Sequence, residues 1–305
     1  MKITIATRQS ALALWQAEHV AQRLRELAEV SEVELLPLST RGDEILDRSL
    51  LEVGGKGLFI KELEIAMLEG RADIAVHSMK DVPADMPEGF CVAAVLERAS
   101  PFDALVSPGR LALDELPQGS LVGSSSLRRQ AQLLAARPDL ELRPLRGNVN
   151  TRLAKLDDGQ YDAIILACAG LERLGFADRI GYSLPPETML PAAAQGVVGV
   201  ECRSDRVDLR DVLGRLEDES ARLTTAAERA VARRLEASCH SPLASYATLD
   251  GDDLSLTSLV ARPDGSRVLR RSIRGPRHAA EALGLELADE MLGLGAADML
   301  VAQGA

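Results

Sequence analysis

The heptapeptide GRADIAV, residues 70–76, returns as GQYDAII at residues 159–165. In both copies a helical pattern stops at a glycine, and an aspartate three residues on opens an apolar β-type run. The segments ahead of the two copies also follow one order. Ahead of the first, residues 2–6 form a short β-type run that ends in the polar turn Thr7-Arg8-Gln9-Ser10. Ala13, Ala17, Val20, Leu24 and Leu27 then recur at spacings of four and three, an amphipathic helix for which Ser10 is a suitable N-cap. A second strand at 33–38 and a helix at 59–69 complete the lead-in. Ahead of the second copy come a strand at 121–123, the turn Ser124-Ser125-Ser126, a helix from Leu127, a strand at 140–145 and a helix at 151–156. Strands alternating with helices in this way predict an α/β domain, and the repetition predicts two of them.

The remainder reads differently. Residues 221–235 have the pattern of a helix, and LEASCHSPLAS (235–245) that of a loop. Three β-type runs follow, separated by Asp250-Gly251 and by Pro263-Asp264-Gly265, both good turn signals. Helical stretches at 277–292 and 296–303 complete a small α+β domain. The 305 residues suffice for about two or three domains.

Bulk composition narrows the function. With 35 basic and 46 acidic residues the net charge is −11, a poor basis for general binding of nucleic acid or anionic membrane. No long apolar stretch follows Lys2, and no run approaches the ~20 residues that cross a bilayer. Cys91, Cys168, Cys202 and Cys239 are widely spaced and His19, His77, His240 and His278 form no ligand pattern. A reduced, cytoplasmic setting without a structural metal is therefore expected.

The polar residues gather in turns after strands, where open α/β sheets bind ligands. Arg8 and Ser10 precede one helix; Ser124, Ser126, Arg128 and Arg129 surround the start of another, and Arg146 and Arg152 occupy the next turn of that domain. Each arginine alone is best read as a surface ion pair. Their recurrence at corresponding strand ends favours a polyanionic ligand. VGGKGLF (53–59) fails the phosphate-loop pattern, because Gly57 follows Lys56 where Ser or Thr is needed. Its glycines suit a mobile segment carrying Lys56, or an ordinary flexible loop. Cys239 follows a helix rich in arginine and sits in a loop, as a thiol with a nucleophilic role would; an incidental thiol is the plainer reading. In AVHSMKDVP (75–83) an apolar strand gives way to Lys80 and Asp81, which suits either a solvated loop or a site at a strand end.

These stretches, with IATRQSALALWQA, TRGD, GSSSLRRQ, LRGNVNTRL, YDAIILACAGLERLG, PAAAQG and ERAVARRLEASC, occur in one order and closely resemble the porphobilinogen deaminase family across nearly the whole chain. The resemblance implies two periplasmic-binding-protein-like α/β lobes flanking a cleft, plus a small C-terminal α+β domain. The boundaries expected are 1–97 with 197–215, then 102–191, then 219–305. It implies a transferase that joins four porphobilinogen molecules head to tail, with loss of ammonia, onto a covalent dipyrromethane primer and then releases hydroxymethylbilane. By the same resemblance Cys239 carries the dipyrromethane through a thioether and Asp81 is catalytic. Arg8, Ser10, Lys56, Ser78, Lys80, Ser124, Ser126, Arg128, Arg129, Arg146, Asn148, Arg152, Arg173 and Gln195 would bind cofactor or substrate. A monomer in the cytoplasm, without nucleic-acid or membrane partner, is implied too. The chain departs from the family pattern at Ala237-Ser238 (usually Gly-Gly), His240 (commonly Gln), Ala194 (usually Gly) and Glu52 (basic in some members). A solute-binding protein would share the lobes but needs an export signal and no loop cysteine. A ligand-sensing regulator would need a DNA-binding helix pair, and none is recognisable.

Overall fold

The computed structural model describes residues 1–40, 60–238 and 241–300. Contacts divide the chain into two compact units, Met1–Ala99 with Val197–Arg222, and Ser100–Gly196 with Leu223–Ala305.

In the first unit, β1 (Lys2–Arg8) pairs in parallel with β2 (Glu32–Leu38) on one side and with β3 (Ile74–Ser78) on the other. β10 (Val198–Arg203) runs antiparallel to β3, and β4 (Phe90–Val95) antiparallel to β10, giving the order β2-β1-β3-β10-β4. Helix α1 (Ala11–Arg25) starts where the sequence placed it, and Ser10 Oγ accepts from the Ala13 amide at 3.4 Å. Its Ala17, Val20, Ala21 and Leu24 pack on Ile3, Ile5, Ile74, Val76, Val198 and Val200. The opposite face, through Ala6 and Ala75, meets Leu63, Ala66 and Met67 of helix α2 (Lys61–Leu68). Both faces of the sheet are thus covered, which suits the apolar runs of β3 (residues 74–76) and β4 (Phe90–Val95).

The second unit repeats the plan. β6 (Leu121–Gly123) lies parallel to β7 (Glu141–Arg143) and β8 (Ala163–Ala167). β5 (Asp103–Val106) is antiparallel to β8 and to β9 (Tyr182–Leu184), so the order is β7-β6-β8-β5-β9. Helix α3 (Leu127–Ala136) covers one face through Leu133, and α4 (Val149–Asp157) the other through Leu153 and Leu156.

The heptapeptide echo has a physical content. Helix α2 ends with the Gly70 amide bonded to Met67 O and the Arg71 amide to Ala66 O; α4 ends with Gly159 bonded to Leu156 O and Gln160 to Lys155 O. This Schellman ending needs a left-handed residue, and Gly70 and Gly159 have φ of 69° and 71°. Each aspartate then clamps the first strand of its sheet. The Asp73 amide donates to Thr4 O (2.8 Å) while its Oδ2 accepts from the Thr4 amide (2.8 Å). Asp162 does the same with Leu121, at 2.9 and 2.7 Å.

The second unit also contains the three-stranded antiparallel sheet of β11 (Leu243–Asp250), β12 (Asp253–Ala261) and β13 (Val268–Pro276). Its strands and turns fall where the turn signals placed them. Leu256, Val260 and Leu269 pack with residues of α7 (Glu219–Arg234) and α8 (Ala280–Gly293), while Ala244, Leu259 and Ala261 meet Ala131 of α3. The short α9 (Ala296–Leu300) ends the described chain. The fold class is mixed α/β with a small α+β part, as expected.

Candidate functional site

In the first unit the expected residues gather at the carboxyl ends of β1 and β3. Because Ile5 and Ala6 pair with Ile74 and Ala75, Arg8 and Ser78 end neighbouring parallel strands. Directly after β3 the chain makes one 3-10 turn, Met79–Asp81. Met79 anchors it: its side chain is 2% exposed, its amide donates to Val197 O at 3.0 Å, and the Val82 amide closes the turn onto Met79 O at 3.2 Å. The turn's other two side chains point elsewhere, Lys80 being half-buried and Asp81 exposed. Ser78 Oγ accepts from Gln16 Nε2 at 2.7 Å, so Gln16, 2% exposed on α1, is a supporting residue that sequence reasoning missed. Ser10 caps α1, and its hydroxyl, accepting there, keeps its O–H to donate.

In the second unit Ser124 and Ser126 follow β6, Arg146 follows β7, and Arg173 ends α5 (Cys168–Arg173), which continues straight from β8. Arg128 and Arg129 differ from the strand-end surface groups expected. They are buried, at 4% and 7% exposure, and turn inward onto the fully buried Asp103 of β5. Arg128 Nη1 donates to Asp103 Oδ2 (2.8 Å) and Leu190 O (2.7 Å). Arg129 donates to Asp103 Oδ1 from Nε (3.0 Å) and Nη2 (2.6 Å), and from Nη1 to Ile165 O (3.0 Å). Gln195 Nε2 adds a bond to Asp103 Oδ1 at 3.1 Å and one to Pro101 O at 2.7 Å. Burial lowers the pKa of Arg128, with the Asp103 carboxylate opposing. Asp103 is the chief residue that sequence reasoning missed, since nothing in PFDALV marks the aspartate as a counter-ion.

The remaining members are held by backbone groups. Arg152 Nε donates to Gly147 O (2.8 Å), and Arg173 Nη2 to Gly196 O (2.8 Å). Burial lowers the Arg173 pKa. Asn148 caps α4, its Oδ1 accepting from the Thr151 amide at 2.9 Å. Lys56, Glu52, Cys239 and His240 lie outside the described residues. The approach to Cys239 is described, however. The Ser238 amide donates to Ser241 Oγ (3.0 Å), and the Ser241 amide to Ser238 O (3.0 Å). Left-handed backbone falls on Glu236 (φ 52°) and not on Ala237 or Ser238, so neither of those two positions requires glycine. Ala194 does adopt φ 57°, the conformation a glycine there would favour.

The set suits an organic polyanion. Two guanidiniums share one carboxylate, which leaves positive charge in excess, and Arg128 keeps its Nε–H and Nη2–H groups without a partner among the described residues. A pyrrole ring bearing an acetate and a propionate offers such donors carboxylate oxygens.

Comparison with known proteins agrees. Residues 3–211 match the family described as porphobilinogen deaminase, dipyrromethane cofactor binding domain, and residues 222–293 match porphobilinogen deaminase, C-terminal domain. Among solved structures, the VFT2 domain of Bordetella pertussis BvgS is similar at a TM-score of 0.45 and 15% identity, over 70% of this chain and 86% of that one. A TRAP periplasmic solute binding protein of Desulfovibrio salexigens reaches 0.43 and 15%, over 72% and 73%. Likeness at that level identifies nothing by itself. The two family matches together span nearly the whole sequence, and the chain belongs to the porphobilinogen deaminase family, which polymerises porphobilinogen onto a dipyrromethane cofactor in tetrapyrrole biosynthesis.

Proposed function

We propose that Asp81 is the catalytic residue of this chain and that Cys239 anchors the cofactor. The observation that carries the first assignment is the Met79–Asp81 turn. A buried methionine fixes the backbone while the carboxylate two residues on stays exposed at a strand end. As ammonia leaves porphobilinogen, positive charge develops at the pyrrole nitrogen. A fixed carboxylate facing that N–H stabilises the charge and can take up the proton lost after carbon–carbon bond formation. The dipyrromethane, when bound, supplies the nucleophilic α-carbon that primes the chain. Arg128, Arg129, Arg146, Arg152 and Arg173 would hold ring carboxylates, with Ser124, Ser126, Asn148 and Gln195 as polar neighbours. Arg8, Ser10, Ser78, Lys80 and Lys56 would serve the incoming substrate. Surplus guanidinium charge over Asp103 supports the first group.

The division into 1–97 with 197–215, 102–191 and 219–305 is supported by three separate sheets. Widely spaced cysteines support a cytoplasmic setting, and monomer is the state we propose. Among the described residues no helix is long and apolar enough to cross a membrane.

Asp81→Asn tests the central assignment, because it keeps shape and deletes charge. With cofactor verified by intact mass, hydroxymethylbilane formation should fall by about 10²–10⁴-fold. A near wild-type rate would overturn the role. Cys239→Ser should give folded protein without the added mass, and covalent dipyrromethane on that variant would refute the anchor.

A further inference from the structure

Beneath the catalytic turn lies a group of ionisable side chains that this chemistry does not use. His77 and Glu201 are 6% and 1% exposed. In the register of β3 with β10, Ala75 pairs with Glu201 and His77 with Gly199, so all four lie on the face covered by α2. His77 Nε2 lies 2.7 Å from Glu201 Oε2. Among the described residues, Glu201 Oε1 is buried without a hydrogen-bond partner, and so is Oε1 of Glu64 on α2. Glu64 feels Glu201, His77 and Lys61. Burial, then the Glu201 charge, pushes the Glu64 carboxyl up to about 7, with His77 and Lys61 opposing. Two donor-less carboxylate oxygens in one buried region are an arrangement that a proton on Glu64 relieves.

The cluster is joined to the turn. Gly199, the register partner of His77, is the seat of Met79: a Cβ there would overlap Met79 Sδ. Just before β10 begins, Val197 O receives the Met79 amide. Any change in the His77–Glu201 contact is therefore felt where the turn is pinned.

We propose that His77, Glu201 and Glu64 are positioning residues for the Asp81 turn, and that the charge state of Glu64 beside Glu201 sets the turn's placement. The proposal rests on Asp81 being catalytic. Below about pH 7 Glu64 is neutral, and above it a second negative charge faces Glu201. The folded-state value lies above the ordinary carboxyl value of 4.5, so the stability this group contributes is complete below 4.5 and is lost as pH rises through about 7.

The test compares wild type, Glu64→Gln, Glu201→Gln and Asp81→Asn as cofactor-loaded proteins, with kcat, KM and melting temperature followed across the neutral range. Wild type should show an ionisation in kcat near pH 7, and Glu64→Gln should lose it while still turning over. Glu201→Gln should lower kcat by about tenfold or more, with KM changed less than about threefold. An ionisation that persists in Glu64→Gln, its absence from wild type, or wild-type kcat in Glu201→Gln overturns the proposal. A purely structural role would lower the melting temperature and leave the ionisation in place. Should Glu201→Gln fail to fold, the half-buried Glu64→Gln decides alone. Asp81→Asn at the wild-type rate would instead sink the catalytic assignment. An inactive Asp81→Asn beside an unchanged Glu64→Gln profile removes only the positioning role.

Discussion

Replacing Asp103 with Asn is the most informative perturbation of the second unit. Asp103 is fully buried and accepts from Arg128 Nη1, Arg129 Nε and Nη2, and Gln195 Nε2. Asn keeps the shape but removes the charge that two guanidiniums share, and its amide N–H groups face donors instead of accepting from them. Adding up four charge-assisted hydrogen bonds would overstate the loss, because the arginines retain Leu190 O and Ile165 O as partners. Removing one member of a buried ion pair costs about 3–5 kcal/mol. Out of the ~5–15 kcal/mol that keeps a domain folded, that is a large share. Urea denaturation should therefore show a much lower midpoint for Asp103→Asn, and intact mass should show incomplete cofactor loading as Arg128 and Arg129 lose their orientation. Adding Arg129→Gln should recover part of the loss, since only one guanidinium then lacks a counter-charge. The control is Asp205→Asn, whose carboxylate meets Arg203 at 2.5 Å but on the surface, where solvent screens the pair. Its midpoint should not move. Asp103→Asn within about 1 kcal/mol of wild type, fully loaded, would refute the reasoning.

Three further outcomes are expected. Gly199→Ala should force Met79 off its seat and cost about 1–3 kcal/mol by overpacking, with a turnover loss greater than the change in KM; a kinetically normal variant would show that the turn is not pinned there. Ala194→Gly should raise stability by about 0.5–1 kcal/mol, as measured by denaturation, because φ 57° suits glycine; a destabilised variant would count against strain at that position. Asp162→Ala should cost about 1–2 kcal/mol, since it removes the acceptor of the Leu121 amide at 2.7 Å. An unchanged denaturation midpoint would mean that solvent replaces the clamp without loss.

What was legible in the sequence is what short stretches enforce. Ser10 caps α1 from three residues away, and Gly70 and Gly159 end helices whose patterns precede them directly. Asp73 and Asp162 were read as strand openers before their clamping bonds were visible. The strands β4, β5, β9 and β10 were not read as strands, although they complete both sheets. Their apolar runs are short and lack a period, and they become strands by pairing with segments far along the chain, as Glu201 of β10 pairs with Ala75.

The candidate site divides in the same way. Sequence by itself settled the family, the order of elements, and which residue types stand at strand ends, because each is written in contiguous motifs. It placed Arg128 and Arg129 in the first turn of a helix, where the structure also has them. Only the tertiary structure decided that both turn inward, that Asp103 at sequence separations of 25 and 26 is their common counter-ion, and that His77 meets Glu201 across 124 residues. A buried charge is stable only beside its partner, and the fold alone brings partners so distant in the chain to within hydrogen-bonding reach.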